Sequence, residues 1–210
     1  MPSYKEQRYE TLRKFYGDGW TNFLTELELK ELGITKEYKQ KITKKKRKNM
    51  ILSTHFLLKD LTRSELASKL NIDNTPNKEQ ITNLRELAVN VLDPIAELVI
   101  NNDSTDSLII NSGFRCLEIN RKLNSKDTSQ HVKGQAADIE PKKWKLSEFY
   151  RTIANSDIEF DQLIYEFDSW VHVSYAPGAN RKQLVHIYND EKTNKVSSYV
   201  IKNLDKYTRF

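Results

Sequence analysis

The chain has 210 residues, 38% of them apolar and 30% charged, with a formal net charge of +5. That apolar share suffices to bury a core in one ordinary domain plus an extension, or in two small domains, which excludes a wholly disordered chain. No apolar run approaches the ~20 residues needed to cross a bilayer, and the single cysteine, Cys116, excludes an intrachain disulfide and a cysteine-based zinc cluster.

Charge is unevenly placed: residues 1–49 carry 13 Lys+Arg against 7 Asp+Glu, and residues 50–210 carry 21 against 22. Short helices are predicted over 3–16 and 22–32, where Tyr9, Leu12, Phe15 and Tyr16 recur at helical spacing and Gly17-Asp18-Gly19 makes a break. The run Lys36–Lys48 holds eight Lys/Arg and one Glu. It reads as a solvated helix face or linker, or as a contact with an anionic polymer such as nucleic acid or teichoic acid, or with anionic lipid. The polar, charged opening Met1–Glu6 gives no signal-peptide pattern. A basic helical extension over 1–49 and a separate domain over 50–210 are expected.

Within the second part, Thr62-Arg63-Ser64-Glu65 has the form of a capping box, flanked by Leu61 and Leu66 as a hydrophobic staple, for a helix through about Leu70. Thr75-Pro76 opens a longer helix whose apolar positions run from Ile81 to Val99, with Pro94 marking a kink or break. A buried strand follows at 107–111, a helix at 115–123, a polar loop, and a strand near 136–139. A helix over 146–154 and strands near 160–167, 170–175 and 183–188 complete the pattern. Helices first and strands later imply an α+β fold on an antiparallel sheet with the helices packed on one side.

With one cysteine, a metal could be held only by histidines and carboxylates, and the chain has four histidines, His55, His131, His172 and His186. His131 lies in Ser129-Gln130-His131-Val132-Lys133-Gly134-Gln135-Ala136-Ala137-Asp138. Gly134 permits a sharp turn or positive φ and Ala136 leaves room for a close-packed strand, so His131 and Asp138 can converge from either end of the turn. In Trp170-Val171-His172-Val173-Ser174, strand alternation would turn His172 away from the two valines. His55 and His186 read as structural or surface residues, and Cys116 as a small buried apolar one.

The pattern Ser-x-His-x-x-Gly-x-Ala-x-Asp, complete here at Ser129, His131, Gly134, Ala136 and Asp138, resembles the signature of the zinc D-alanyl-D-alanine carboxypeptidases. Their metal fold is shared with lysostaphin-type endopeptidases and the hedgehog signalling domain. The resemblance spans about Met50 to Tyr188, including Asn71–Pro76, and the arrangement looks like that of phage and prophage members, which are endolysins or virion-associated murein peptidases. It implies Zn2+ held by His131, Asp138 and His172, the last from the family's Trp-x-His segment, with a fourth position left for water.

The resemblance also implies an acid six residues before the last ligand, Glu166, as the base acting on that water; Asp168 is the alternative. Ser112-Gly113-Phe114-Arg115 resembles the family's Ser-Gly-Tyr-Arg segment, which gives Arg115 the role of steadying the tetrahedral intermediate or a substrate carboxylate. Ser129 would bind substrate or its own loop backbone, and Gln162, on the parity of Glu166, would line the groove. The implied activity is hydrolysis of murein peptides by a protein made in the bacterial cytoplasm and delivered by a holin or carried in a virion. The alternative is a virion or wall-binding protein that keeps the fold without turnover.

Overall fold

The computed structural model describes residues 49–205 and, before them, positions 7, 9, 10, 13, 14 and 32. Gln7, Tyr9, Glu10, Arg13 and Lys14 are helical, inside the stretch predicted as the first helix. The rest of that stretch, nearly all of 22–32 and the basic run 36–48 lie outside the described residues. Packing divides the chain into Met1–Asn49 and Met50–Phe210, and all four histidines belong to the second unit.

Two short helices begin this second unit, α1 (Leu58–Thr62) and α2 (Glu65–Leu70). The cap between them differs from the expected one. Thr62 is the last residue of α1, its hydroxyl donating to the Leu58 carbonyl at 2.8 Å, and Ser64 is the N-cap of α2, accepting from Ala67 N–H at 3.1 Å. The preceding Leu58 and Leu61 are buried and pull one more turn of chain into the core, which shifts the start of the next helix by two residues.

Asn77, rather than Thr75, caps α3 (Lys78–Leu87) in a reciprocal box with Gln80. A π-helical segment, Ala88–Leu92, continues it directly into α4 (Asp93–Asn102), so Pro94 does not break the helix. In the wide turn Asp93 N–H reaches back to Ala88 O. This moves the carbonyls that a proline ring would otherwise strike and leaves its missing N–H without consequence at the start of α4.

Six strands form one sheet in the order β1-β2-β4-β3-β5-β6: β1 (Leu108–Ser112), β2 (Ala136–Pro141), β3 (Gln162–Glu166), β4 (Trp170–Ser174), β5 (Gln183–Asp190) and β6 (Lys195–Val200). Helices α5 (Leu117–Lys122) and α6 (Gln130–Lys133) lie between β1 and β2 in the chain, and α7 (Leu146–Ala154) between β2 and β3. The fold is α+β, but the sheet is mixed: β3 and β5 are parallel, and every other neighbouring pair is antiparallel. The chain makes the hairpin β3–β4, then returns through 175–182 to the free edge of β3. Strands β4 and β5 therefore run in opposite directions, as their short connection requires, without being neighbours.

Strand alternation sets which residues reach the site. Ala137, Ile139, Leu163, Tyr165, Val171 and Val173 share the core with Leu84, Leu87, Val91, Ile95 and Val99 of the long helical stretch and with Phe149, Tyr150 and Ile153 of α7. Burial of each large apolar side chain contributes roughly 1.5–3 kcal/mol. Asp138, His172, Ile164 and Glu166, at the intervening positions, take the opposite face.

Candidate metal centre

Ser129 caps α6, accepting from His131 N–H at 3.3 Å, so the His131 side chain leaves from the first turn of a short helix. That helix ends at Gly134 with φ +73°, and a Cβ there would lie 2.6 Å from the Gln80 carbonyl oxygen. Glycine is thus needed for conformation and for clearance against α3. The chain turns at once into β2, and Asp138 comes to stand in register with His172 of β4.

Three atoms converge: His131 Nε2 lies 3.1 Å from Asp138 Oδ1 and 3.1 Å from His172 Nδ1, and His172 Nδ1 lies 2.9 Å from Asp138 Oδ1. Bonds of about 2.0–2.1 Å to a tetrahedral ion would set such atoms about 3.3 Å apart, so a small cation fits with little adjustment. The three residues are buried and could hold a metal ion. His131 Nδ1 meets the Gly113 carbonyl at 2.7 Å. That bond takes the Nδ1 proton and leaves the Nε2 lone pair aimed at the other two donors.

Electrostatics favour the ligating forms. Burial holds His131 below the usual imidazole range, outweighing the opposite pull of Asp138. Burial would raise Asp138, but His131 and His172 overcome it and hold the carboxyl far below the usual range. Arg115 forms an ion pair with Asp138 Oδ2, the oxygen not shared with the histidines, and its Nε donates to Ser112 Oγ at 2.8 Å. The guanidinium expected to meet substrate or intermediate thus has partners within the protein.

Glu166 ends β3 opposite Trp170 and lines the same groove as the triad and Arg115. Burial raises its carboxyl above the usual range; His172 opposes this, Asp138 adds to it, and Arg115 and the nearby Trp170 indole oppose it. The groove has a volume of about 710 Å³, and its walls include the charged Arg63 and Glu65 and the aromatic Phe114, Phe167 and Trp170.

Ser129 lines the groove as well as bonding its own loop. Gln162 does not line it: its side-chain amide donates to Gln183 Oε1 at 2.7 Å across the parallel pair. Asp168 sits in the β3–β4 turn and, after burial, is the main influence that pushes the Tyr165 hydroxyl up to about 12. Asp168 is not among the residues that line the groove. His55 is exposed and His186 buried outside the groove, and Cys116 precedes α5, half-buried against the core.

Sequence alone assigns no role to Phe167 or to the Gly113 carbonyl. Phe167 and Asp168 both have φ +53°, a conformation rare for an aromatic residue, and the turn closes with Ser169 N–H on Glu166 O at 2.9 Å. A turn at Asp168-Ser169 is expected between the two strands, but a Phe-Asp pair carries no signal of the Asn-Gly kind, so residue type does not reveal that Phe167 takes a left-handed conformation in it. Asn74 was visible within Asn71–Pro76, although its contacts were not.

Comparison with known proteins agrees with this geometry. No curated protein matches the chain. A family model described as Peptidase M15 matches residues 54–174, or 121 of the 210, a span that takes in His131, Asp138, Glu166 and His172. One family model thus covers more than half of the sequence and all three converging donors, and the chain belongs to the Peptidase M15 family of metallopeptidases.

Proposed function

We propose that the protein is a zinc peptidase that cuts peptide bonds in bacterial peptidoglycan, with His131, Asp138 and His172 as the metal ligands and Glu166 as general base. The observation that carries the reading is the convergence of His131 Nε2, Asp138 Oδ1 and His172 Nδ1 in one groove that the Glu166 carboxyl also lines. A bound zinc ion would supply Lewis-acid polarisation of the scissile carbonyl and acidify a water.

The chain's own residues supply the rest. Glu166 takes the proton of the attacking water and returns it to the departing amine, a role suited to a carboxyl raised by burial. Arg115 fixes the ligating orientation of Asp138, and it lines the groove where an oxyanion or substrate carboxylate would lie. Phe114, Phe167 and Trp170 give the groove apolar walls against which a peptide could pack. A carboxyl of this kind beside three convergent donors favours turnover over a scaffold role, which needs no base.

Peptidoglycan as substrate and a phage endolysin or virion setting rest on the resemblance of the motifs. Production in the bacterial cytoplasm and release by a holin belong to the same reading. The test is incubation of purified peptidoglycan with the full chain, after chelation and after return of Zn2+, with released fragments identified by mass. Zinc-dependent release of muropeptides cut at one bond type supports the reading and names the bond. A zinc-loaded protein that releases none contradicts it in favour of a wall-binding role.

A further inference from the structure

The segment Ser112–Cys116 touches two of the three metal donors. Its Gly113 carbonyl accepts from His131 Nδ1 at 2.7 Å, its Arg115 side chain pairs with Asp138, and Arg115 N–H donates to the His131 carbonyl at 3.2 Å. The segment belongs to no helix or strand beyond Ser112, so something else must hold it. Part of the answer is the end of α1: Phe114 N–H donates to the Leu61 carbonyl at 2.7 Å, and a Cβ on Gly113 would lie 2.3 Å from that same oxygen.

The remainder is Asn74, half-buried in the connection between α2 and α3. Its Nδ2 donates to the Phe114 carbonyl at 3.1 Å and to the Thr62 carbonyl at 3.1 Å, while its Oδ1 accepts from Cys116 N–H at 2.7 Å. One amide thus grips the backbone on both sides of Arg115 and ties it to α1. The demand is for two donors and one acceptor in a plane, which an asparagine amide meets and a carboxylate or hydroxyl of similar size does not.

We infer that Asn74 is a positioning residue for the metal centre: by clamping Phe114 and Cys116 it fixes the Gly113 carbonyl that orients His131 and the Arg115 guanidinium that orients Asp138. The inference rests on the metal-binding part of the proposed function. Partners that orient ligands in this way are worth about 10- to 100-fold in metal affinity, and Asn74 acts on two ligands through one segment.

The test uses the full chain, Zn2+ titrated in competition with a chromophoric chelator, and Co2+ absorption as a reporter of ligand geometry. Asn74→Asp keeps size and the acceptor but turns an oxygen towards two carbonyls; Asn74→Ser is smaller and milder, so that a folded variant is in hand. Asp93→Asn is the stability control, since Asp93 accepts from Ser53 Oγ, Thr54 N–H and His55 N–H and lies outside the groove.

At a temperature where all are folded, the Asn74 variants should bind Zn2+ at least about tenfold more weakly than wild type and give an altered Co2+ spectrum. Asp93→Asn should match wild type in both despite its lower thermal midpoint. Asn74 variants that lose thermal stability but bind Zn2+ with wild-type affinity and an unchanged Co2+ spectrum would overturn the inference and leave Asn74 a purely structural clamp. Wild type that bound no Zn2+ would remove the metal site, and this inference with it.

Discussion

His131 can ligate because its other nitrogen is already occupied, and the residues that arrange this are small or act through the main chain. Gly134 is the sharpest case: Gly134→Ala would meet both a left-handed φ and the Gln80 carbonyl oxygen at 2.6 Å. It should cost about 1–3 kcal/mol of stability, read by urea unfolding. Asp161 offers a second test. Its carboxylate, 3% exposed, receives Arg181 Nε and Nη2, each at 2.6 Å, and Gln130 Nε2 at 2.9 Å, next to His131 in sequence.

The Arg181 bond, outweighing burial, holds Asp161 below its ordinary value of 3.8. A folded-state pKa lower than the unfolded one gives stability that is complete above the unfolded value and lost as pH falls through the folded one. Thermal midpoints of wild type and Asp161→Asn should therefore differ most near neutrality and converge as pH drops well below 3.8. The meeting of His131, Asp138 and His172, with Glu166 in the same groove, was legible in the sequence through the family motifs that the chain resembles. The pairing of Arg115 with Asp138 was not, since 23 residues separate them and it takes the β1–β2 pairing and the contacts that hold the segment after β1 to bring them together.

At the level of elements, helix α7 carries the face that opposes the site, with Phe149, Tyr150 and Ile153 fully buried against β2, β3 and β4. Phe149→Ala should cost about 3–5 kcal/mol in urea unfolding, with folded protein keeping its metal affinity because the ligands project from the other face. The amphipathic period made α7 legible, about 146–154 in expectation and Leu146–Ala154 in the structure. Strand β6 was not expected. Its Lys195–Val200 side chains are largely exposed, with Val196 at 64%, so no hydrophobic alternation with a buried face announces it. The parallel β3–β5 pair was hidden for a different reason: chain order suggests which strands are neighbours, whereas β5 returns past β4 to the far edge of β3.

For the molecule as a whole, the groove and the basic amino-terminal stretch are separate questions. The excess of positive charge in residues 1–49 is a property of the sequence alone, and the proposal that Lys36–Lys48 contacts an anionic polymer is tested by salt. Binding to DNA or teichoic acid should weaken steeply as salt rises and vanish on deletion of residues 1–49. Among the described residues, no helix is long and apolar enough to cross a membrane.

The central claim, that Glu166 does proton chemistry beside a metal held by His131, Asp138 and His172, is tested most directly by one paired measurement on wild type and Glu166→Gln. Zinc content and the rate of muropeptide release are measured on the same samples. The account predicts equal zinc in both and a rate lowered by about 10²- to 10⁴-fold in the variant, the range expected for loss of a general base. A zinc-loaded Glu166→Gln that cuts peptidoglycan at the wild-type rate would contradict it.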